Sequence, residues 1–144
     1  MLTNSLLKDR LGDVSDAASD KGAGYAERQA RQRLMARGGS DLPELPWLAP
    51  GQPHDAVTLI RQVLWRLGAE RDRLELPDDL CAAIGLLASA RAEVDGLEAG
   101  LLFVARAEGL TWAQITEALG LRTAQAAQQR YERVSARLAD DPAS

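Results

Sequence analysis

The sequence predicts an all-α protein, and two features of its 144 residues carry that prediction. It holds 25 Ala and 23 Leu, which favour helices, against 6 Val and 3 Ile, which favour strands. From residue 54 onward, apolar residues also recur at the three- and four-residue spacing of one helix face. We therefore expect a helical domain over residues 53–139 that follows a largely flexible N-terminal arm.

The arm covers residues 1–52 and ends in a Pro-rich linker. Its acidic and basic side chains balance and large apolar residues are few, so it buries too little surface to offset the entropy cost of ordering. A basic stretch over residues 25–37 predicts a short helix. Three roles are open for it: a solvated arm, an arm that contacts phosphates, or a docking segment for a protein partner. We expect Trp47, inside the linker, to pack on the domain that follows.

Two helices open the domain. The first is expected over residues 55–74. The second begins at Leu76-Pro77-Asp78-Asp79, where proline and carboxylates suit a first turn. It runs to Glu108, either continuously or with a kink near Asp95-Gly96, and ends at Gly109.

Residues 109–138 are the most informative part of the chain. Thr111 and Gln114 have the spacing of a capping box, so a short helix should start at Trp112. Gly120 then suits a tight turn because glycine adopts positive φ without strain. A second helix is expected over residues 123–138, with these residues on its inner face: Ala124, Ala127, Tyr131, Val134 and Leu138.

Two helices joined by a tight turn make a helix-turn-helix, which we predict over residues 111–138. Small residues should allow the two helices to cross closely, namely Ala118, Ala124 and Ala127. By residue type, Trp112 and Tyr131 are expected to belong to the core rather than to stack on bases.

The stretch WAQITEALGLRTAQAAQQRYERV resembles the helix-turn-helix of small DNA-binding proteins from high-GC bacteria, and the related motif in the promoter-binding region of sigma factors. The resemblance covers residues 109–138 of the 144. The residues that carry it are Trp112, Ile115, Ala118, Leu119, Gly120, Leu121, Ala126, Ala127, Arg130 and Tyr131. The chain departs from the family pattern at Thr116, where alanine is usual, and at Arg122, where a Ser or Thr cap is usual. Thr123 would cap the second helix instead.

The resemblance implies that the second helix lies in the major groove of DNA. With its apolar face turned inward, Arg122, Gln125, Gln129 and Arg133 point outward, with Gln128 beside them. The predicted DNA-binding residues are these five together with Thr123 and Arg130. Arginine can bind guanine, and glutamine adenine, through paired hydrogen bonds. Arg130 and Arg133, with Arg137, are the better phosphate candidates because phosphate contacts need charge rather than a base pattern.

The expected function is therefore sequence-specific binding of double-stranded DNA, as a transcriptional regulator or nucleoid-associated factor. One such motif reads few base pairs, so we expect a homodimer that forms through the helices at 55–74 and 78–108. The chain carries a net charge of −4, yet residues 111–138 hold four arginines against Glu117 and Glu132.

Three alternatives stay open. The helical domain could be an interaction module for RNA polymerase, a sigma factor or another regulator, with the arm docking on that partner. It could be a small structural subunit, such as one from a phage. An enzyme is the most distant, because no nucleophile elbow, P-loop or dinucleotide-type glycine pattern is present, and Asp78-Asp79 has an ordinary role at a helix end.

The remaining composition excludes other classes. Cys81 and His54 are the single cysteine and histidine, too few for an internal disulfide or a usual zinc site, and we expect no cofactor. Cys81 should be a core thiol and His54 a surface or capping residue. The charge-free apolar run at 80–90 is shorter than the roughly 20 residues that span a bilayer, and the start of the chain has no signal-peptide pattern. These features predict a soluble protein of the cytoplasm and nucleoid, without membrane contact.

Overall fold

The computed structural model describes the backbone of residues 5–69 and 75–140, and the side chains from residue 19 onward in those ranges. Every regular element in them is helical, which confirms the all-α prediction. The helices are α1 (Ser5–Ala36), α2 (Ala56–Ala69), α3 (Leu76–Gly85), α4 (Leu87–Ala107), α5 (Trp112–Ala118) and α6 (Ala124–Ala139), with one 3-10 turn at Gly39–Asp41. None of these helices is long and apolar enough to cross a membrane. The predicted end of the first domain helix, at 74, lies outside the described residues.

The chain forms two compact units, Met1–Leu87 and Ala88–Ser144. This division differs from the boundary near residue 53 that the composition indicates. In the first unit α1, α2 and α3 pack against one another. Leu34 of α1, Leu59 of α2 and Leu86 after α3 are fully buried. The segment expected to be a flexible arm therefore supplies part of a core.

Trp47 and His54, in and just after the linker, differ from the prediction in how deeply they are buried. Trp47 is 73% exposed, so it does not pack on a domain. His54 is buried instead, and its carbonyl oxygen accepts a hydrogen bond of 2.9 Å from Arg31 of α1. Gly39 lies so close to Leu59 and Met35 that an added Cβ would come within 3.0 Å of both side chains, so these side chains would have to shift to admit a larger residue.

The helix predicted from Asp78 to Glu108 is broken at Leu86. Leu86 adopts φ −89° and ψ −1°, and its N–H donates to the carbonyl oxygens of Ala82 and Ala83. Helix α3 buries Asp79, Ala82 and Ala83, and Leu86 just after it is buried too. This three- and four-residue spacing places Cys81 outside. Cys81 is therefore exposed rather than a core thiol.

Helices α4, α5 and α6 form the second unit. Leu102 of α4, Ile115 of α5 and Ala127 of α6 are buried together, and Trp112 and Tyr131 pack against them half-buried. The aromatic rings lie 6.0 Å apart between centroids. Their predicted place in the core is confirmed.

Candidate nucleic-acid interface

Helix α5 begins with the capping box that the sequence predicts. The Thr111 hydroxyl oxygen accepts a hydrogen bond of 3.2 Å from the backbone N–H of Gln114. In return, the backbone N–H of Thr111 donates to the Gln114 side-chain oxygen at 2.8 Å. Two amides that a helix start leaves without partners are thereby satisfied, so the first residue of α5 is well defined.

The turn between α5 and α6 is closed by backbone hydrogen bonds. The N–H of Gly120 donates to the carbonyl oxygen of Glu117 at 3.1 Å, and that of Leu121 to Thr116 at 2.9 Å. Gly120 has φ +65°, in the left-handed region where a side chain would be strained. The predicted glycine turn is confirmed.

Thr116 links the two helices, which is a role that the sequence did not reveal. It is 7% exposed, and its hydroxyl donates to the carbonyl oxygen of Trp112 at 2.6 Å. The carbonyl oxygen of Thr123, at the start of α6, is a second acceptor at 3.3 Å. The Thr116 hydroxyl thus forms a polar contact between the two helices.

Thr123 caps α6, as predicted from the absence of a cap at Arg122. Its hydroxyl oxygen accepts a hydrogen bond of 3.1 Å from the N–H of Ala126. The helix therefore starts at Ala124, and this sets which side chains face outward. Ala127 and Val134 are buried on its inner face. Ala118 and Ala124 are exposed, so of the three alanines expected at the crossing only Ala127 lies in the contact.

The outer side of α6 presents a polar row. Gln125, Gln129 and Arg133 follow at intervals of four and are all exposed, opposite the inner face. Arg122, Thr123 and Gln128 are exposed beside them. We call this surface the α6 outer face, made of Arg122, Thr123, Gln125, Gln128, Gln129 and Arg133. It unites all but one of the predicted site residues.

The exception is Arg130, which is turned toward α4. Its guanidinium forms a bidentate ion pair with Glu98, with Nη2 to Oε2 at 3.0 Å and a shorter bond from Nε. Hydrogen bonds from Arg130 hold the pKa of Glu98 below its usual value, although partial burial opposes this. Arg137 lies 3.3 Å from Asp95 of α4. Two arginines of α6, Arg130 and Arg137, therefore form ion pairs with carboxylates of α4.

The charge left on the α6 outer face is modest. Within the described residues Arg122 and Arg133 form no ion pair, although the charge of Arg133 contributes to the lowered pKa of Glu98. Glu132 is also exposed on α6. The face thus offers two guanidiniums and three amides beside the Glu132 carboxylate, a set suited to hydrogen bonding with base edges and a few phosphates.

The first unit contains a charged centre that sequence reasoning missed. Asp79 is 1% exposed and accepts hydrogen bonds from Arg33 at 2.8 Å, Arg37 at 3.0 Å and Arg66 at 3.0 Å. Burial raises the pKa of this carboxyl, but the three guanidiniums outweigh it and hold the pKa below its ordinary value. Two arginines of the predicted basic stretch, Arg33 and Arg37, therefore bind Asp79 of α3 together with Arg66 of α2, while Arg31 binds Glu27 and the carbonyl oxygen of His54. We call the arrangement around Asp79 the clamp. No sequence signal near Asp79 indicates partners 13 to 46 residues away.

Among the described residues, no group of three or more His, Cys, Asp or Glu side chains is placed to hold a metal ion.

Comparisons with known proteins do not add to these observations. No family model, curated protein or solved structure gives a significant match to this chain.

Proposed function

We propose that the protein binds double-stranded DNA in a sequence-specific manner by placing α6 in the major groove, as a transcriptional regulator or nucleoid-associated factor. The observation that carries the proposal is the α6 outer face. Its amides and guanidiniums lie on one side of a helix that a closed turn and a threonine cap fix in place. The N-terminal half of such a helix is the part that meets base edges in helix-turn-helix proteins.

The residues divide by chemistry. Gln125 and Gln129, with Gln128 beside them, are proposed to bind bases, since a glutamine amide matches the donor and acceptor pair of adenine. Arg122 suits guanine or a phosphate. Arg133, further along the helix, suits a phosphate. Arg130 contributes less than its type implies, because Glu98 already occupies its guanidinium. Its role is to hold α6 against α4.

A single helix reads few base pairs, so the proposal includes a homodimer on a two-fold-related site. Its half-sites would lie about one helical turn, or roughly 34–36 Å, apart. If the protein binds DNA in this way, its proposed location is the nucleoid, within the cytoplasm.

Equilibrium binding to genomic fragments across a salt series tests the proposal. Specific binding should weaken steeply as salt rises, because bound arginines release counterions from the phosphates. Loss of all binding at low salt would contradict the proposal and favour an interaction module for RNA polymerase or another regulator.

Variants of the α6 outer face should separate base contacts from phosphate contacts. Gln125→Ala with Gln129→Ala should cost about 1–3 kcal/mol per lost base contact on the preferred site and little on unrelated DNA. Arg133→Gln should weaken binding to all sequences alike and lower the salt slope by about one. The exposed Gln32→Ala and Arg61→Gln of the first unit are matched controls and should change neither quantity.

A further inference from the structure

Helix α4 carries two rows of apolar residues, and the second unit uses only one of them. Leu102 and Ala105 face the cluster that contains Ile115 and Ala127. The other row remains 52–72% exposed. We call it the α4 outer stripe, made of Val94, Leu97, Leu101 and Val104. Scattered surface leucines are ordinary, but a continuous apolar stripe on one helix marks an interaction surface.

The spacing of the α4 outer stripe points to another helix as its occupant. Its residues follow at intervals of three, four and three, which are the a and d positions of a heptad repeat. Leu87 and Ala90 continue the same pattern to the start of α4. The helix has 21 residues and is therefore roughly 32 Å long, which allows six such layers along it.

We propose that the α4 outer stripe docks on the same stripe of a second copy of this chain, with the two α4 helices antiparallel. The inference rests on the proposed function only in that DNA recognition there requires two copies of the chain. It adds which surface joins the two copies and in which direction their α4 helices run. The pattern is self-complementary, because every a residue of one helix meets a d residue of the other. Val94 would lie opposite Leu97 of the second copy, and Leu101 opposite Ala90.

Charge complementarity supports this partner and this direction. Arg91 and Glu98 are e positions of the same heptad pattern, and e positions face each other in an antiparallel pair. In the register that pairs Val94 with Leu97, the exposed Arg91 therefore lies beside Glu98 of the second copy. Glu98 also binds Arg130, and a carboxylate has acceptor sites for more than one guanidinium. A parallel pair would instead bring Glu93 against Glu98 of the second copy, which are like charges.

Sedimentation of the full chain without DNA tests the proposal. The wild type should sediment as a dimer of 15.5 kDa chains at tens of micromolar. Leu101→Glu should raise the dimer dissociation constant at least about tenfold, because a carboxylate would be buried without a partner. Phe103→Glu is the matched control, since Phe103 is 63% exposed on the same helix but outside the stripe. It should leave the dimer unchanged.

Three results would overturn the proposal: a wild type that is monomeric at these concentrations, a Leu101→Glu variant that dimerises as well as wild type, or equal losses in both glutamate variants. Circular dichroism checks that each variant keeps its helices. If Leu101→Glu unfolds, Arg91→Glu serves instead, since it removes no apolar side chain and should also weaken the dimer.

Disulfide formation tests the direction, in a Cys81→Ser background. A mixture of Ala90→Cys and Leu101→Cys chains should cross-link to each other, while Leu101→Cys alone should not, because its two copies would lie about 16 Å apart along the helix axis. Self-cross-linking of Leu101→Cys, which a parallel pair would allow, would contradict the antiparallel arrangement. These measurements are independent of DNA. If the dimer is confirmed while genomic fragments fail to bind, the DNA-binding proposal fails and the α4 interface stands.

Discussion

Asp79→Ala is expected to lower the free energy of unfolding of the first unit by about 3–5 kcal/mol. The substitution removes the buried carboxylate that Arg33, Arg37 and Arg66 share, while Glu75 stays paired with Arg33 and Arg37. Most of the loss should come from Arg66, whose side chain is only 9% exposed, because the other two are a third exposed and water can solvate them again. Urea denaturation, monitored by circular dichroism, measures this loss in the free energy of unfolding.

Asp78→Ala is the matched control for this prediction. Asp78 is the preceding residue, its side chain is 77% exposed, and its contact with Arg33 is 3.8 Å long. Such a surface pair contributes about 0–1 kcal/mol, so its loss should be small. Equal effects of the two substitutions would show that the buried clamp does not stabilise the unit.

The same clamp predicts an acid sensitivity. Because the pKa of folded Asp79 lies below its ordinary value, the stabilisation is complete above about pH 4, the range of an unfolded aspartate. It is lost as the pH falls through the lower folded pKa. The stability difference between wild type and Asp79→Asn should therefore shrink below pH 4. A difference that stays constant down to pH 2 would contradict the clamp.

Ile115→Ala is expected to destabilise the second unit by about 2–5 kcal/mol. Ile115 is 3% exposed between Leu102 and Ala127, so shortening it leaves a cavity where α4, α5 and α6 meet. The position of α6 should loosen, and affinity for DNA should fall with stability. Leu110→Ala is the control, because Leu110 is 39% exposed and its truncation creates no buried cavity. A fully stable Ile115→Ala would show that this contact does not hold the unit together.

The features that the sequence predicts well are local. The capping box depends on Thr111 and a residue three positions later, and the turn depends on the conformation of Gly120 itself. The cap at Thr123 and the polar row on α6 follow from the same short-range rules. Of the six residues of the α6 outer face, the four within the helix could be placed from the helix start alone, namely Gln125, Gln128, Gln129 and Arg133.

The features that it misses depend on distant partners. Asp79 has the local pattern of a helix start, and only the folded chain brings Arg33, 46 residues away, within 2.8 Å of it. The break at Leu86 directly follows Gly85, but a single glycine does not mark it, because α4 contains Gly96 and Gly100 without a break. The exposure of Cys81 follows from which face of α3 the fold buries, namely the one with Asp79, Ala82 and Ala83. Arg130 has the residue type for a phosphate contact, and its pairing with Glu98 depends on how α4 and α6 meet.

Sequence recognition by α6 is best tested by capture of genomic DNA with the full chain, followed by sequencing. We expect enrichment of one motif with two-fold-related halves about one helical turn apart. Gln125→Ala with Gln129→Ala should degrade the motif, while the exposed Gln32→Ala should preserve it. Uniform recovery of genomic sequence by the wild type, or an intact motif after both α6 glutamines are replaced, would contradict sequence recognition by α6.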